Sequence, residues 1–523
     1  MAAAVGTRAL WPLEIAASYG TVTRTIALSV AGPVFLSLAF PPLDIGPIAL
    51  IALVPLFILW SKQSWKQALL SGWVAGMLIF AASLYWTSLT VFNFVGVWAV
   101  LALIVLCVIQ GSAVAATAVV ASITGRGELR IVSIFCLPAS WLLCESVRTR
   151  GFLGVPFGEL GLAAAHLPWL LPVAAFGGVY LLTAAVALAN AAVAATISKS
   201  KQVRTTGFVV LVALAMGVAA ANIFPESPLS SPSLKVAVVQ GDIDQQVKWT
   251  PDAFVQSQAI YARLTREVAS KGVKVVVWPE TAIATSARQD QTVLGNLRSL
   301  VRTTHVWLLA GTLDSPTAAG YYNALLDLKP DGTIGGIYHK RLLVPFAEYL
   351  PLEQFLRRLP LMRNASAFLR GPGPHLLPAA DSTWGPLICF ESAFAPYARA
   401  TANAGADVLV IATDDGWFAG TTEPYQHADA AALQAVATGR WVVRAASTGI
   451  SEIIDPHGEV VAKLGVGRRG IITGDVGRGI TTLYDRYGIA WLLALSLIAV
   501  GWGLFSGVAL PLDLRRISER PVK

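Results

Sequence analysis

Three residues in the second half of the chain are of types that could together move an acyl group: Glu280 closes the run VVVWPE, Lys340 falls in YHKRLLVPFAEYLP, and Cys389 closes the strand-like part of GPLICFES. A thiol becomes a good nucleophile only when a base or a positive charge draws it towards thiolate, and acyl transfer also needs a donor for the developing oxyanion. A carboxylate and an ammonium could meet those two needs. Charged residues at strand ends are common, so spacing alone leaves three unrelated surface residues as an equal reading. The cysteines add a constraint. Cys107, Cys136 and Cys144 fall in long apolar runs, and Cys389 alone lies in polar sequence, with no disulfide partner there. By itself such a thiol is either a buried structural group or a thiolate the protein uses. His339 and His427 raise a Cys-His dyad as a further reading, but nothing in the sequence brings either ring near Cys389. No His, Cys or carboxylate cluster has ligand spacing, so neither a metal nor a cofactor is expected.

The elements that must position these residues follow from the hydrophobic period. From about 233 to 482, β-rich runs such as LKVAVVQG, VKVVVWPE, VWLLAGTL, GPLICFES, ADVLVIAT and WVVRAAS alternate with helical stretches at 252 to 270, 291 to 303 and 426 to 439. That alternation predicts an α/β layering in one domain of about 250 residues.

The rest of the chain is of another kind. Of 523 residues, 55% are hydrophobic and 13% charged, with a mean hydropathy of +0.61, whereas soluble proteins carry about a quarter charged residues. A spanning helix needs roughly 20 apolar residues. About eight transmembrane segments are expected, near 25 to 41, 45 to 60, 68 to 90, 96 to 123, 131 to 146, 169 to 196, 206 to 223 and 487 to 510. The second is the weakest, and its shortness, with Pro41 and Pro42 before it, makes a re-entrant pair the alternative. The formal net charge of +8 sits in clusters flanking the apolar runs, which reads as a topology signal rather than a nucleic-acid surface. Arg8 and Arg24, Lys62 and Lys66, Arg126 and Arg130, Lys199, Lys201 and Arg204, then Arg515, Arg516, Arg520 and Lys523 mark the cytoplasmic connections, with both termini inside. The first span reads as an anchor rather than a cleaved signal. The expected division is a membrane domain at 1–224, a linker at 225–233, an extracytoplasmic α/β domain at 234–482, and a last span with its tail at 483–523. Arg148 and Arg150 break the charge rule, either as interfacial exceptions that snorkel or as a bidentate clamp on a lipid phosphate.

From Lys235 to Gly477 the chain resembles the carbon-nitrogen hydrolase, or nitrilase, superfamily, on the segments WPET, HKRLLVPFAEYLP and CFES in that order. Over nearly its whole length it is similar to the membrane-embedded apolipoprotein N-acyltransferase family, through SWLLCESVRTRGFLGVPFGELG, QGDIDQQVKW, DDGWF, EPYQH and TLYDRYG. The resemblance implies a nitrilase-like αββα sandwich inserted between transmembrane helices in a bacterial cell (inner) membrane, acting as a monomer. It implies Glu280 as general base, Lys340 as oxyanion stabiliser and Cys389 as the thioester carrier, helped by the backbone N–H of Phe390. Glu348 and Glu391 match family glutamates that line the site, and Trp249 a tryptophan associated with substrate. Asp414 and Asp415 stand where the family commonly shows Asn-Asp, and Ser447 and Thr448 where an Asn pair is usual. The implied reaction takes an acyl chain from a phospholipid and delivers it to the N-terminal amine of a diacylglyceryl apolipoprotein. Two rival readings are a nitrilase-like amidase on a small amide, against which the spans argue, and a catalytically silent scaffold for a polyprenol-phosphate glycosyltransferase, against which the complete Glu-Lys-Cys set argues.

Overall fold

The computed structural model describes residues 11–151, 153–223, 233–317, 320–358 and 368–508. The expected linker, apart from Ser233, and the basic residues Arg8, Arg515, Arg516, Arg520 and Lys523 lie outside them. The first half is helical: α1 (Trp11–Ser37), α2 (Val54–Lys62), α3 (Trp65–Val95), α4 (Trp98–Gly125), α5 (Ile131–Arg148), α6 (Ala174–Thr196) and α7 (Lys201–Ile223). The second half alternates: β1 (Leu234–Gln240), α8 (Pro251–Ala269), β2 (Val275–Val277), β3 (Ile283–Ser286), α9 (Gln291–Thr304), β4 (Trp307–Asp314), β5 (Tyr322–Leu328), β6 (Ile334–His339), α10 (Glu353–Leu356), β7 (Leu377–Ala379), β8 (Ser382–Ile388), α11 (Ala395–Asn403), β9 (Val408–Thr413), α12 (Glu423–Thr438), β10 (Trp441–Ala446), β11 (Ser451–Ile454), β12 (Val460–Leu464) and β13 (Gly470–Val476). The chain then returns through α13 (Leu483–Tyr487) to α14 (Ala490–Val508).

Among the described residues, six helices are long and apolar enough to cross a membrane, and the apolar stretches Thr25–Ser37 and Gly46–Lys62 are shorter. The expectation of a second full span at 45 to 60 is therefore corrected. That stretch is a 3-10 turn, Gly46–Leu50, followed by the nine-residue α2, whose length of about 14 Å is half the roughly 30 Å of a hydrocarbon core. Pro47 and Pro55 each stand in a first turn, where a missing N–H is tolerated but an incoming helix cannot continue. The backbone groups freed at the break are met by Asn190 of α6, whose amide oxygen accepts from the Leu53 N–H (2.7 Å) and whose amide nitrogen donates to the Ala49 carbonyl (2.7 Å). Buried in apolar surroundings, those groups would each cost several kcal/mol if left unpaired.

The polar half has the α/β layering expected from the alternating pattern, in the form of the αββα sandwich that the resemblance implied. One sheet runs β13-β1-β2-β4-β5-β6, with β3 beside β4, and the other β12-β11-β10-β9-β8-β7. Successive side chains of a strand face opposite ways, and β1 shows the consequence. Val236 and Val238 pack between the sheets against Ile388, Val410 and Val443, while Ala237 and Val239 pack under α8 and α9 against Tyr261, Leu264 and Leu297. Helices α11 and α12 cover the other sheet through Ala398, Ala431 and Ala435.

The sandwich rests on the helices along α12. Ala430, Leu433, Val436 and Ala437 of α12 belong to the same core as α2, α3, α5 and α6. Gly178 breaks α6 with φ +63°, and a Cβ there would lie 2.9 Å from the Tyr484 ring of α13, so the bend admits both the backbone conformation and the contact. A polar latch adds to this interface. His166 Nε2, in the loop between α5 and α6, lies 3.0 Å from Asp429 Oδ2 of α12 and 3.3 Å from Asp44 Oδ1. The hydrogen bond to Asp429 raises His166 above its usual range, with burial opposing and the charges of Asp429 and Asp44 adding, while Lys463 works against it; burial also raises Asp429, with Asp44 and Glu452 adding to the rise. The raised His166 means that the folded protein holds the imidazole proton more tightly than the unfolded chain, so the stabilisation it contributes is present below the ordinary imidazole pKa of about 6.5 and is lost as pH rises through the raised value. Thermal unfolding of the detergent-solubilised protein is expected to separate wild type from His166→Gln at mildly acidic pH and to bring them together at alkaline pH. A pH-independent difference would show that the latch acts through packing alone.

Candidate active site

The sheets deliver Glu280, Lys340 and Cys389 to one end of the sandwich. Glu280 follows β2, Lys340 follows β6, and Cys389 follows β8. Lys340 is 1% exposed, and its Nζ donates to Glu348 Oε1 (2.8 Å) and lies 3.3 Å from Glu280 Oε1. The Asn323 amide of β5 joins them, donating to Glu280 Oε1 (2.6 Å) and Glu348 Oε1 (3.2 Å), while Glu280 Oε2 accepts the Asp414 N–H (2.8 Å). Burial alone would drive the proton off Lys340, but the carboxylates of Glu280 and Glu348 and the nearby Cys389 outweigh it and hold the ammonium well above its usual range. Burial pushes the Cys389 thiol well up, Glu280 adding to the rise and Lys340 opposing it. Glu280 is raised too, by burial first, against Lys340. The resting site is thus a protonated thiol with the Lys340 ammonium and the Glu280 carboxyl as its charged neighbours.

Cys389 adopts a left-handed backbone (φ +50°) at the start of a 3-10 turn, Cys389–Ala393. Glu391 holds that turn. Its fully buried carboxylate accepts the N–H groups of Ile388 (2.7 Å), Arg341 (2.5 Å) and Leu342 (3.0 Å) and the Tyr338 hydroxyl (2.8 Å). It ties the nucleophile turn to the segment after Lys340 and so supports the site from beneath.

Residues 235–485 match the family described as Carbon-nitrogen hydrolase, and residues 32–192 the Apolipoprotein N-acyltransferase N-terminal domain. The chain is 31% identical over 511 residues to an apolipoprotein N-acyltransferase of Azotobacter vinelandii, covering 94% of this chain and 95% of that one, and 30% identical over 491 residues to one of Geobacter metallireducens, covering 90% and 93%. The chain belongs to the apolipoprotein N-acyltransferase family. It is also similar to a solved amidase from Nesterenkonia sp., with 18% identity, 51% of this chain and 98% of that chain covered, and a TM-score of 0.37.

The other supporting residues take varied positions around this site in the chain similar to apolipoprotein N-acyltransferases. Trp249 is 48% exposed, with the Lys248 ammonium 5.8 Å from its ring. Phe390 is half-buried and packs on Phe394 (4.8 Å) and on Phe157 of the membrane domain (6.5 Å). The lipid-phosphate reading of Arg148 is corrected. Its guanidinium turns inward, bonding Glu145 (3.1 Å), the Val155 carbonyl (2.8 Å) and Gln110 (3.4 Å) over the Phe80 ring, because an isolated charge at this depth needs a partner. Arg150 is exposed.

Sequence reasoning missed Lys248 and Asn323 and weighed His427 only as a partner of the thiol. Lys248 is buried and bonds Thr281 (2.6 Å) and Asp414 (2.5 Å), so the aspartate standing in place of the usual family asparagine here carries an ion pair. Asn323 bridges the two acidic partners of Lys340. His427 lies under the nucleophile turn, its Nε2 3.1 Å from the Cys389 carbonyl rather than at the thiol, while His339 pairs with Asp314 (2.7 Å). The motifs QQVKW and EPYQH held the only available signal for Lys248 and His427. Asp415, Glu423 and His427, like Asp44, His166 and Asp429, converge closely enough to count as possible metal ligands, a closeness invisible in linear spacing. The Asp415 group already holds its cation in Arg444 (2.7 Å).

Proposed function

We propose that this protein moves a fatty acyl chain from a membrane phospholipid, through a thioester on Cys389, to the α-amine of the S-diacylglyceryl cysteine that begins a lipoprotein. The observation that carries the reading is the convergence of Glu280, Lys340 and Cys389 on the end of the sandwich that abuts the membrane helices, where Phe390 packs on Phe157 and Phe418 packs on Trp86 of α3 at 5.1 Å. Both substrates are lipids, and a water-soluble amidase would need no such floor.

In the first half-reaction Glu280 takes the Cys389 proton, and sulfur attacks the ester carbonyl. The oxyanion is met by the Lys340 ammonium and the Phe390 N–H. The intermediate collapses by breaking the ester C–O bond, Glu280 returns its proton to the leaving lysophospholipid oxygen, and the thioester remains. In the second, a neutral amine attacks the thioester carbonyl, Glu280 takes the proton from the new ammonium, and the C–S bond breaks to give the amide and a thiolate that Glu280 reprotonates. An α-amine with a pKa near 8 is partly neutral at neutral pH.

The charge pattern supports a multi-pass protein of the bacterial inner membrane whose domain at 234–482 faces the periplasm or cell exterior, with the membrane domain at 1–224 and the tail inside. In a strain whose native enzyme has been depleted, this protein is expected to restore triacylation, read as the mass of a lipoprotein's N-terminal peptide. Lipoproteins that stay diacylated despite full expression would contradict the proposal.

A further inference from the structure

Cys389 holds a left-handed backbone conformation that is unfavourable for a non-glycine residue and persists only where its surroundings over-determine it. Its carbonyl shows how. The Ser392 hydroxyl donates to the Cys389 carbonyl (2.8 Å), and the same hydroxyl oxygen lies 2.7 Å from His427 Nε2, itself 3.1 Å from that carbonyl. His427 Nδ1 lies 3.1 Å from Asp415 Oδ1, and Asp415 is bound by Arg444 (2.7 Å) and the Thr413 hydroxyl (2.7 Å). Burial opposes the charge on Asp415, but Arg444 and the bonds from His427 and Thr413 hold it at about 2. This anionic carboxylate holds the ring at Nδ1, which fixes Nε2 beside both the Ser392 oxygen and the Cys389 carbonyl. Ser392 and His427 are both buried, so the set has no opening to substrate and is no second nucleophile.

A trans peptide is planar, and its carbonyl and N–H point in opposite directions. With the Cys389 carbonyl gripped on the buried side, the N–H of Phe390 is turned to the other side. We infer that Ser392 and His427, backed by Asp415 and Arg444, are positioning residues that aim the Phe390 N–H as the second oxyanion donor beside Lys340. This rests on the acyl-transfer reading of Cys389 given above.

The test separates thiol reactivity from oxyanion stabilisation in the purified full-length protein. Acyl-enzyme formation is measured in a single turnover with vesicles of phosphatidylethanolamine and phosphatidylglycerol, and alkylation of Cys389 by iodoacetamide, which needs a thiolate but no oxyanion donor, is followed on the peptide containing it. Ser392→Ala, which removes one oxygen atom, and His427→Ala are expected to slow acylation on the order of 10- to 100-fold with alkylation unchanged, and His427→Gln, whose amide stands near the ring nitrogen, to recover most of that loss. Unchanged acylation in both alanine variants overturns the inference. So does a parallel fall in alkylation, which would assign the cluster to the thiol or to the fold. A wild-type protein that alkylates normally yet never forms an acyl-enzyme would sink the acyl-transfer reading itself, an outcome distinct from either.

Discussion

Lys340→Arg is expected to fail nearly as badly as Lys340→Ala. The ammonium is almost fully buried between Glu280 and Glu348, a space matched to a compact point charge, and the planar fork of arginine is larger and cannot aim a single donor at one oxygen. Losing a preorganised oxyanion donor costs about 100- to 1000-fold in rate, so both variants should form acyl-enzyme from phospholipid slower by that factor in single-turnover measurements. Arginine retaining the rate to within about tenfold would show that charge suffices and that the geometry of Lys340 is immaterial.

Glu280→Gln is expected to abolish thioester formation, with a loss on the order of 100- to 10,000-fold, the range of a lost general base. Burial, with Glu348 and Asp414 adding to it, raises this carboxyl above its ordinary pKa of about 4.3 while Lys340 opposes. Activity of the wild type should therefore fall, as pH drops, at a higher pH than an exposed glutamate would give, because the base is lost when Glu280 takes up a proton. The Gln variant should lack that acid limb in whatever residual rate remains. A Gln variant that accumulates thioester at the wild-type rate would remove Glu280 from the role of base.

Local patterns carried the α/β layering and its strand ends, because alternating β runs and helices are a short-range signal and each of Glu280, Lys340 and Cys389 lies where a strand stops, while the sandwich itself came from the resemblance. Features set by tertiary contact were not legible. The inward turn of Arg148 depends on Gln110 and on the carbonyl of Val155, which neither motif nor spacing announces. Glu391 reads as a site glutamate by its nearness to Cys389, yet its carboxylate is spent on backbone N–H groups of two segments some fifty residues apart in sequence. The short α2 was half visible through its prolines, but the partner that makes the break tolerable, Asn190, comes from α6. His427 could not be assigned because its ring meets the carbonyl of Cys389, a main-chain contact that leaves no residue-type signature.

The central claim is that the acyl chain passes through the sulfur of Cys389. Purified protein incubated with phospholipid vesicles and no amine acceptor, then digested and analysed by mass spectrometry, tests it most directly. The peptide containing Cys389 should carry the mass of a fatty acyl group, released by neutral hydroxylamine and absent from Cys389→Ala. Donor turnover with that peptide unmodified, or an acyl group found on a different residue, would contradict the account.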